Sequence, residues 1–597
     1  SIAEVLPSLA EASPNSFLIK IQSEVDDPES QLWQMFKPAK DLLTGRTYYT
    51  YVLWALEKIV WFDDYAVRAI EVLAKINEKQ FQYKLANTPI DSLYSIFCVW
   101  HPQSCLTCEQ RIKVIQRISK NYPKTGKELI AKLIPSGNEV CYNIDEPRWR
   151  DFEGKGAEGV TDKEYRDTIN AIATIAIDSA DTNEDWKLII NKADVFFGLG
   201  RPWLESMKEY CETLSNSQRI ELSNLLRTKI SRNREFCDAK WAMPEKYLSK
   251  MEDVLHQILP DDIEQYSYLY KQSASLLNPV PYKEGHDNFE FRSKQLQELR
   301  TRTALDILSK YGEKLFIEFA MKAEVTEELS KIIVQNIMKE SYDFSLLTEM
   351  RDKNPRLCSS VLYRLYSING SKGFFESLTD SKLPDGEKGA ILVQAPLAFE
   401  IWEQVQEFGD AVSETYWQHI DAFKAFYKER EHQDYLINQL IKYNRPFSAA
   451  KVISYSEYAN TEIIIAVLEK CYEMHGFVEA AGYSAKILSP DEIQNLFDKI
   501  YSNQNADLEK MIPLEVTFFP CFDPEYMPRG IAKYFEKDPV EYIHFIELVS
   551  PKDKKSHEIS PEQSHVVRQI VRRCTEVRGC NSRSISRNVF RQWISGG

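Results

Sequence analysis

Apolar residues recur at intervals of three and four along most of this chain. From Tyr51 to Ile76 it reads YVLWALEKIVWFDDYAVRAIEVLAKI, with Leu53, Leu56, Ile59 and Val60 on one stripe. Asp63-Asp64 interrupts the stripe, and Val67, Ile70, Val72 and Leu73 resume it. This pattern predicts two amphipathic helices joined by a tight turn, an αα-hairpin. Ile90–Cys98, Glu109–Ser119 and Gly126–Ile134 continue in the same style, punctuated by Pro89, Pro102, Pro123 and Pro135 at expected helix boundaries. The polar stretch Pro135–Gly159, containing PRWRDF (Pro147–Phe152), reads as a long surface loop. Thr161 followed three residues later by Glu164 is a capping box that opens the next helix.

Further helices are expected at Tyr165–Ile177, Asp185–Phe197, Trp203–Leu214, Ser217–Phe236 and Glu245–Leu259. Pro279–Asn288 is the clearest central break. Phe291–Tyr311, Gly312–Ala323 and Glu327–Glu340 follow it, and Thr379–Gly389 is a second polar break. Beyond lie Ala398–Phe408, Tyr416–Glu429, Asp434–Tyr443, Pro446–Ser454, Glu462–Met474 and Val478–Leu488, with short helices at Ile531–Phe535 and Val540–Leu548. Ile512–Met527, rich in Pro and aromatics, leaves room for a few minor short strands or a packed connector. The expected fold is all-α, an irregular α-solenoid of helical hairpins, without a period that matches a named repeat. The breaks divide it into 1–135, 136–278, 289–380 and 390–550, with a loop and basic terminal helix at 551–597.

Composition agrees with this class. The 597 residues are 43% hydrophobic and 27% charged, a globular balance, and only 21 are glycine, which disfavours a hairpin-rich β fold. A net charge of −15 argues against broad nucleic-acid binding, because phosphate neutralisation needs the opposite sign. No run of about 18 apolar residues suggests a membrane span, and no basic start with an apolar run suggests a secretory signal. The 11 thinly spread cysteines suit a reducing cytoplasm. The opening Ser-Ile-Ala-Glu, without Met, suggests a piece of a larger protein with room for a catalytic module upstream.

Catalytic patterns are missing. There is no Walker loop and no HExxH. The glycine pairs Gly198/Gly200 and Gly386/Gly389 read as helix stops or turns. His544 and Glu547 share a helix face and read as a surface pair. Cys98, His101, Cys105 and Cys108 contain the CxxC spacing of a zinc site, but without a second ligand pair across a loop. The favoured alternative is buried small side chains, with Ser104 capping the next helix. No catalytic, cofactor or metal residue is therefore nominated.

Binding candidates are fewer and more specific. The end of the chain carries Arg568, Arg572, Arg573, Arg578, Arg583, Arg587 and Arg591 against one acid, Glu576. Such an end suits phosphate or carboxylate, or packs as a basic helix on the protein's own acidic surface. Trp149 and Arg150, in the PRWRDF stretch, are the candidates within the loop. The other tryptophans, among them Trp54, Trp100, Trp186, Trp203 and Trp417, read mainly as packing between helices.

Several stretches carry a resemblance: WALEKIVWFDDYAVRAIEVLAKI, NTPIDSLYSIFCVWHP, PRWRDF, YWQHI, NRPFSAA and the Asp538-Pro539 segment. Together they resemble the C-terminal helical-repeat region of large bacterial multidomain proteins of the STAND NTPase (AVAST-like) anti-phage defence type. One departure is Asn77-Glu78-Lys79-Gln80, where a Gly-Gly turn is usual in such regions. The resemblance implies a non-catalytic sensor or scaffold, without a cofactor, that binds a protein ligand or its own upstream effector or NTPase module. The competing readings are a nucleic-acid scaffold that uses the arginine-rich end, and an enzyme on an unfamiliar helical fold.

Overall fold

The computed structural model describes residues 2–37, 48–79, 87–137, 139–152, 159–282, 289–422, 430–458, 460–475, 488–503, 508–518, 522, 526 and 528–537. Among them the regular structure is entirely helical, with no strand. The chain divides into two compact units, one of residues 1–319 with 323–325 and one of 320–322 with 326 onward.

The first unit opens with α1 (Leu6–Ala12), α2 (Pro14–Asp26) and α3 (Leu32–Met35). The expected hairpin follows as α4 (Tyr49–Ile59) and α5 (Asp63–Glu78), parted at the Asp63-Asp64 boundary where two acids suit a helix N-terminus. Then come α6 (Pro89–Phe97), α7 (Cys108–Asn121), α8 (Pro123–Leu133) and α9 (Asp162–Asp178). The capping box at Thr161 is present, its hydroxyl accepting from Glu164 N–H and Glu164 accepting from Thr161 N–H. Ser104 is not a cap. α7 begins three residues later than that reading required, because Thr107 and Gln110 make a reciprocal box of their own.

Each helix packs mainly on near neighbours. α4 lies on α1 and α5, α2 on α5, α6 on α5 and α8, and α7 on α8 and α9. The result is one continuous apolar cluster running from Ala10 to Ile258, as expected when each repeat buries its face on the next. The α7–α8 approach is close enough that a side chain at Gly126 would place its Cβ 2.4 Å from Ser119 Cα. The expected Asp185–Phe197 helix is two, Asn183–Asn191 and Ala193–Gly198, and Gly200 turns the chain at φ +68°. Helix Phe289–Ala320 breaks at Gly312 (φ 79°), the boundary that the apolar pattern marks.

The second unit narrows one expectation and corrects three. The break expected over Thr379–Gly389 is present only at residues 381–384. Helix Pro355–Asp380 runs into the expected stretch and helix Asp385–Gln394 starts within it, opened by Pro384 and the acids Asp385 and Glu387. Gly389 is no turn: a Cβ there would lie 2.7 Å from Thr415 Cβ and 2.9 Å from the Val412 carbonyl, so it lets helix Asp410–His419 approach. The helix expected to reach Glu340 is α-helical only over Glu327–Ile332. It widens to a π turn at Ile333–Ile337 and exits through positive φ at Lys339 and Glu340. Met511, Leu514 and Phe518 bury at helical spacing, so Leu508–Phe518 is a helix where a short strand was left open. Residues 478–487, the helix expected at 540–548 with His544 and Glu547, and the whole of 551–597 lie outside the described residues.

Candidate functional site

Among the almost fully buried charged side chains of the first unit, three share one site: Glu11 on α1, and Glu57 and Lys58 on α4. A buried charge needs a partner, because its desolvation costs several kcal/mol. The partners come from the segment that reads as a surface loop. Residues 139–152 have no regular structure, yet they are stitched across α1, α4 and the turn after α6 (residues 98–107).

The stitching starts at Gln103, which is buried. Its Nε2 donates to the Tyr142 carbonyl at 2.8 Å, and its Oε1 accepts from Ile144 N–H at 2.9 Å. Glu57 Oε2 accepts from Asp145 N–H at 3.1 Å, while Ser92 Oγ on α6 donates to Glu57 Oε1 at 2.5 Å. Trp61 Nε1 donates to the Asp145 carbonyl at 3.2 Å. Lys58 Nζ donates to the Glu146 carbonyl at 2.6 Å and lies 3.3 Å from Glu11 Oε2 and 3.6 Å from Asp145 Oδ2.

Glu11 completes the arrangement. Its Oε1 accepts from three consecutive backbone N–H groups, Arg148 at 2.7 Å, Trp149 at 2.5 Å and Arg150 at 3.1 Å. Successive amides that converge on one point form an anion-binding nest, and here the anion is supplied by the protein itself. Burial alone raises the Glu11 pKa, but the three amides and Lys58 outweigh it and hold the carboxyl below its usual value. Glu57 goes the other way. Desolvation dominates, aided by the charge of Asp145, and its pKa is raised despite the Ser92 and Asp145 N–H bonds.

The product is a fixed turn with an exposed face. Pro147 is buried, and Arg148, Trp149 and Arg150 point out. The Trp149 side chain is 68% exposed, unusual for so large an apolar group. Arg150 is partly committed inward: its Nη2 donates to the Ala12 carbonyl at 3.3 Å, and its guanidinium lies 5.7 Å from the Phe62 ring centre. A cleft of about 490 Å³ opens between α4, α6, α8 and residues 140–144 of the same segment. Trp54, Tyr94 and Tyr142 rim it, and the Asp91–Lys132 ion pair (3.0 Å) lies on its wall.

Of the sequence candidates, Trp149 and Arg150 sit together on this turn. Arg568, Arg572, Arg573, Arg578, Arg583, Arg587 and Arg591 lie outside the described residues. Trp186, Trp203 and Trp417 are fully buried, as packing predicts, whereas Trp54 and Trp100 are exposed. Arg148, Glu11, Glu57, Lys58 and Gln103 were missed, although the Glu57-Lys58 pair in the last turn of the largely apolar α4 was a signal. The CxxC group does not converge. Cys108 Sγ faces the Thr168 hydroxyl on α9 at 3.4 Å, and among the described residues no three His, Cys, Asp or Glu side chains are grouped as metal ligands.

A second cleft, in the other unit, has about 790 Å³ and is lined by Lys372, Glu376, Asp380, Glu400 and Glu403, an acidic and open surface. No helix among the described residues is long and apolar enough to cross a membrane. No protein-family model, characterised protein or solved structure matches the chain.

Proposed function

We propose that this chain is a non-catalytic helical scaffold that captures a protein partner through the turn at residues 148–150. The observation that carries the reading is the nest on Glu11: a buried carboxylate fixes the backbone beneath an exposed Arg-Trp-Arg face. Trp and Arg are the residue types that dominate interface energy, and a pre-ordered turn spares most of the ordering cost of binding. Two guanidinium groups beside an indole suit a partner that presents carboxylates around an apolar spot. The resemblance to STAND-type helical regions extends the proposal: capture at such a region acts on a neighbouring effector or NTPase module.

The test compares two baits, the wild-type chain and an Arg148→Ala/Trp149→Ala variant. A protein recovered by the first and lost by the second is purified and titrated against both. The reading expects affinity to fall by about 30-fold or more, the loss of a hot spot worth at least ~2 kcal/mol. A partner that binds both chains equally contradicts it. Steeply salt-dependent capture of DNA or RNA by both chains favours the nucleic-acid reading instead.

A further inference from the structure

The cleft beside residues 140–144 is built from a repeated spacing. Trp54 and Glu57 stand three residues apart on α4, and Asp91 and Tyr94 stand three apart on α6. That interval puts the members of each pair on one helix face. The two helices are in contact, and each brings one aromatic ring and one carboxyl to the lining of the cleft. The Trp54 ring is set by an edge contact with Tyr51, the ring centres 5.1 Å apart. Tyr142 adds a third ring, and its backbone is held by Gln103 Nε2, which donates to its carbonyl at 2.8 Å.

The two carboxyls differ in what balances them. Asp91 pairs with Lys132 at 3.0 Å through Oδ1, and its Oδ2 accepts from Thr88 N–H at 3.1 Å. Glu57 is 4% exposed and accepts from two neutral donors, the Ser92 hydroxyl and Asp145 N–H. A carboxylate has about four acceptor sites, so part of its capacity is unused. Lys58, next to it in sequence, is spent on Glu11 and Asp145. Among the described residues no Lys, Arg or His forms an ion pair with Glu57, and the charge that acts on it is another carboxylate, Asp145. Burial holds its pKa above the usual value, and the Asp145 charge adds to the effect. The lining thus sets two carboxyls against one ammonium, and the more buried carboxyl lacks a counter-cation.

The rings decide which cation suits the site. A hard metal ion such as calcium takes about six to eight oxygen ligands, and no three His, Cys, Asp or Glu side chains are grouped for one among the described residues. A primary ammonium is strongly hydrated and calls for several acceptors. A methylated ammonium donates no hydrogen bond, and its diffuse charge is held by the faces of aromatic rings. We propose that the cleft between α4, α6 and residues 140–144 binds a trimethylammonium group, with Trp54, Tyr94 and Tyr142 as the rings around it and Glu57 as its counter-charge. The space of about 490 Å³ falls within the usual range of small-molecule sites, roughly 300–1,000 Å³. The group arrives on a free small molecule or on a trimethylated lysine side chain. The site stands whether or not the 148–150 turn binds a partner.

The test titrates the full chain by calorimetry with choline chloride and with its neutral isostere, 3,3-dimethylbutan-1-ol, at equal ionic strength. A second arm compares a short peptide that carries trimethyllysine with the same peptide unmodified. The expected result is choline or the trimethyllysine peptide binding at least about tenfold tighter than its control, the margin of a desolvated cation–π site. Choline alone identifies a free small molecule, and the peptide alone identifies a side chain; either upholds the site. Trp54→Ala and Tyr142→Ala truncate exposed side chains, so the fold survives, and each should weaken the bound probe about tenfold. Tyr142→Phe, which keeps the ring, should retain it. Glu57→Gln, which keeps the shape and removes the charge, should weaken it. Trp100→Ala, an exposed tryptophan outside the lining, and Arg148→Ala/Trp149→Ala should leave it unchanged, which separates this site from the turn. No saturable binding of either probe at millimolar concentration, equal binding of the neutral isostere, or unchanged binding in a Trp54→Ala/Tyr142→Ala chain overturns the proposal.

Discussion

Glu11, Lys58 and Glu57 connect the sequence to the site. Removing one partner of a buried pair strands the other, at a cost of about 3–5 kcal/mol. Lys58→Ala should therefore lower the first unit's stability by that amount in urea unfolding, whereas Trp149→Ala, an exposed side chain, should change it by no more than about 0.5 kcal/mol. The two carboxyls also give opposite pH signatures. Glu11, lowered in the fold, contributes stability that is present above its ordinary value of 4.5 and is lost as pH falls through its folded value. Glu57 is raised, so its fold favours the protonated form. Its contribution is complete below 4.5 and is lost as pH climbs through the folded value. Glu57→Gln should thus gain melting temperature relative to wild type as pH rises above 4.5; a difference that is flat with pH contradicts this assignment. Residue type showed the Glu57-Lys58 pair in the largely apolar α4 but not the partners that bury it. Glu57 and Lys58 look like the solvent face of α4, and only residues 144–150, more than 80 positions later, show why they are covered.

At the scale of elements, the apolar stripes located most helices because burial and periodicity agree there. α4 and α5 meet at the Asp63-Asp64 boundary, and the break at Gly312 falls where the pattern resets. The errors came where another force set the boundary. α7 starts at its Thr107–Gln110 box, so Thr107→Ala should cost about 1 kcal/mol and speed amide exchange in the first turn of α7 about fivefold, while Ser104→Ala should not. Gly389 reads as a turn residue but serves helix contact, a role that no single sequence reveals without its neighbour. Gly126 is the matching case in the first unit. Gly126→Val should separate α7 from α8 and cost about 1–3 kcal/mol of overpacking, measured by thermal unfolding.

At the scale of the molecule, the all-helical fold was legible throughout, and the loop that matters was legible only as a loop. The PRWR sequence shows Arg and Trp together. It does not show that a carboxylate at position 11 fixes their backbone from beneath. The central claim is that this fixed turn is a protein contact surface. It is tested most directly by a photo-crosslinking side chain at position 149, with a second at position 241, where Trp241 is 52% exposed in the same unit. The account predicts one discrete protein adduct from position 149 that is absent from position 241 and is suppressed by Arg148→Ala. No protein adduct at 149, or the same adducts from both positions, would contradict it.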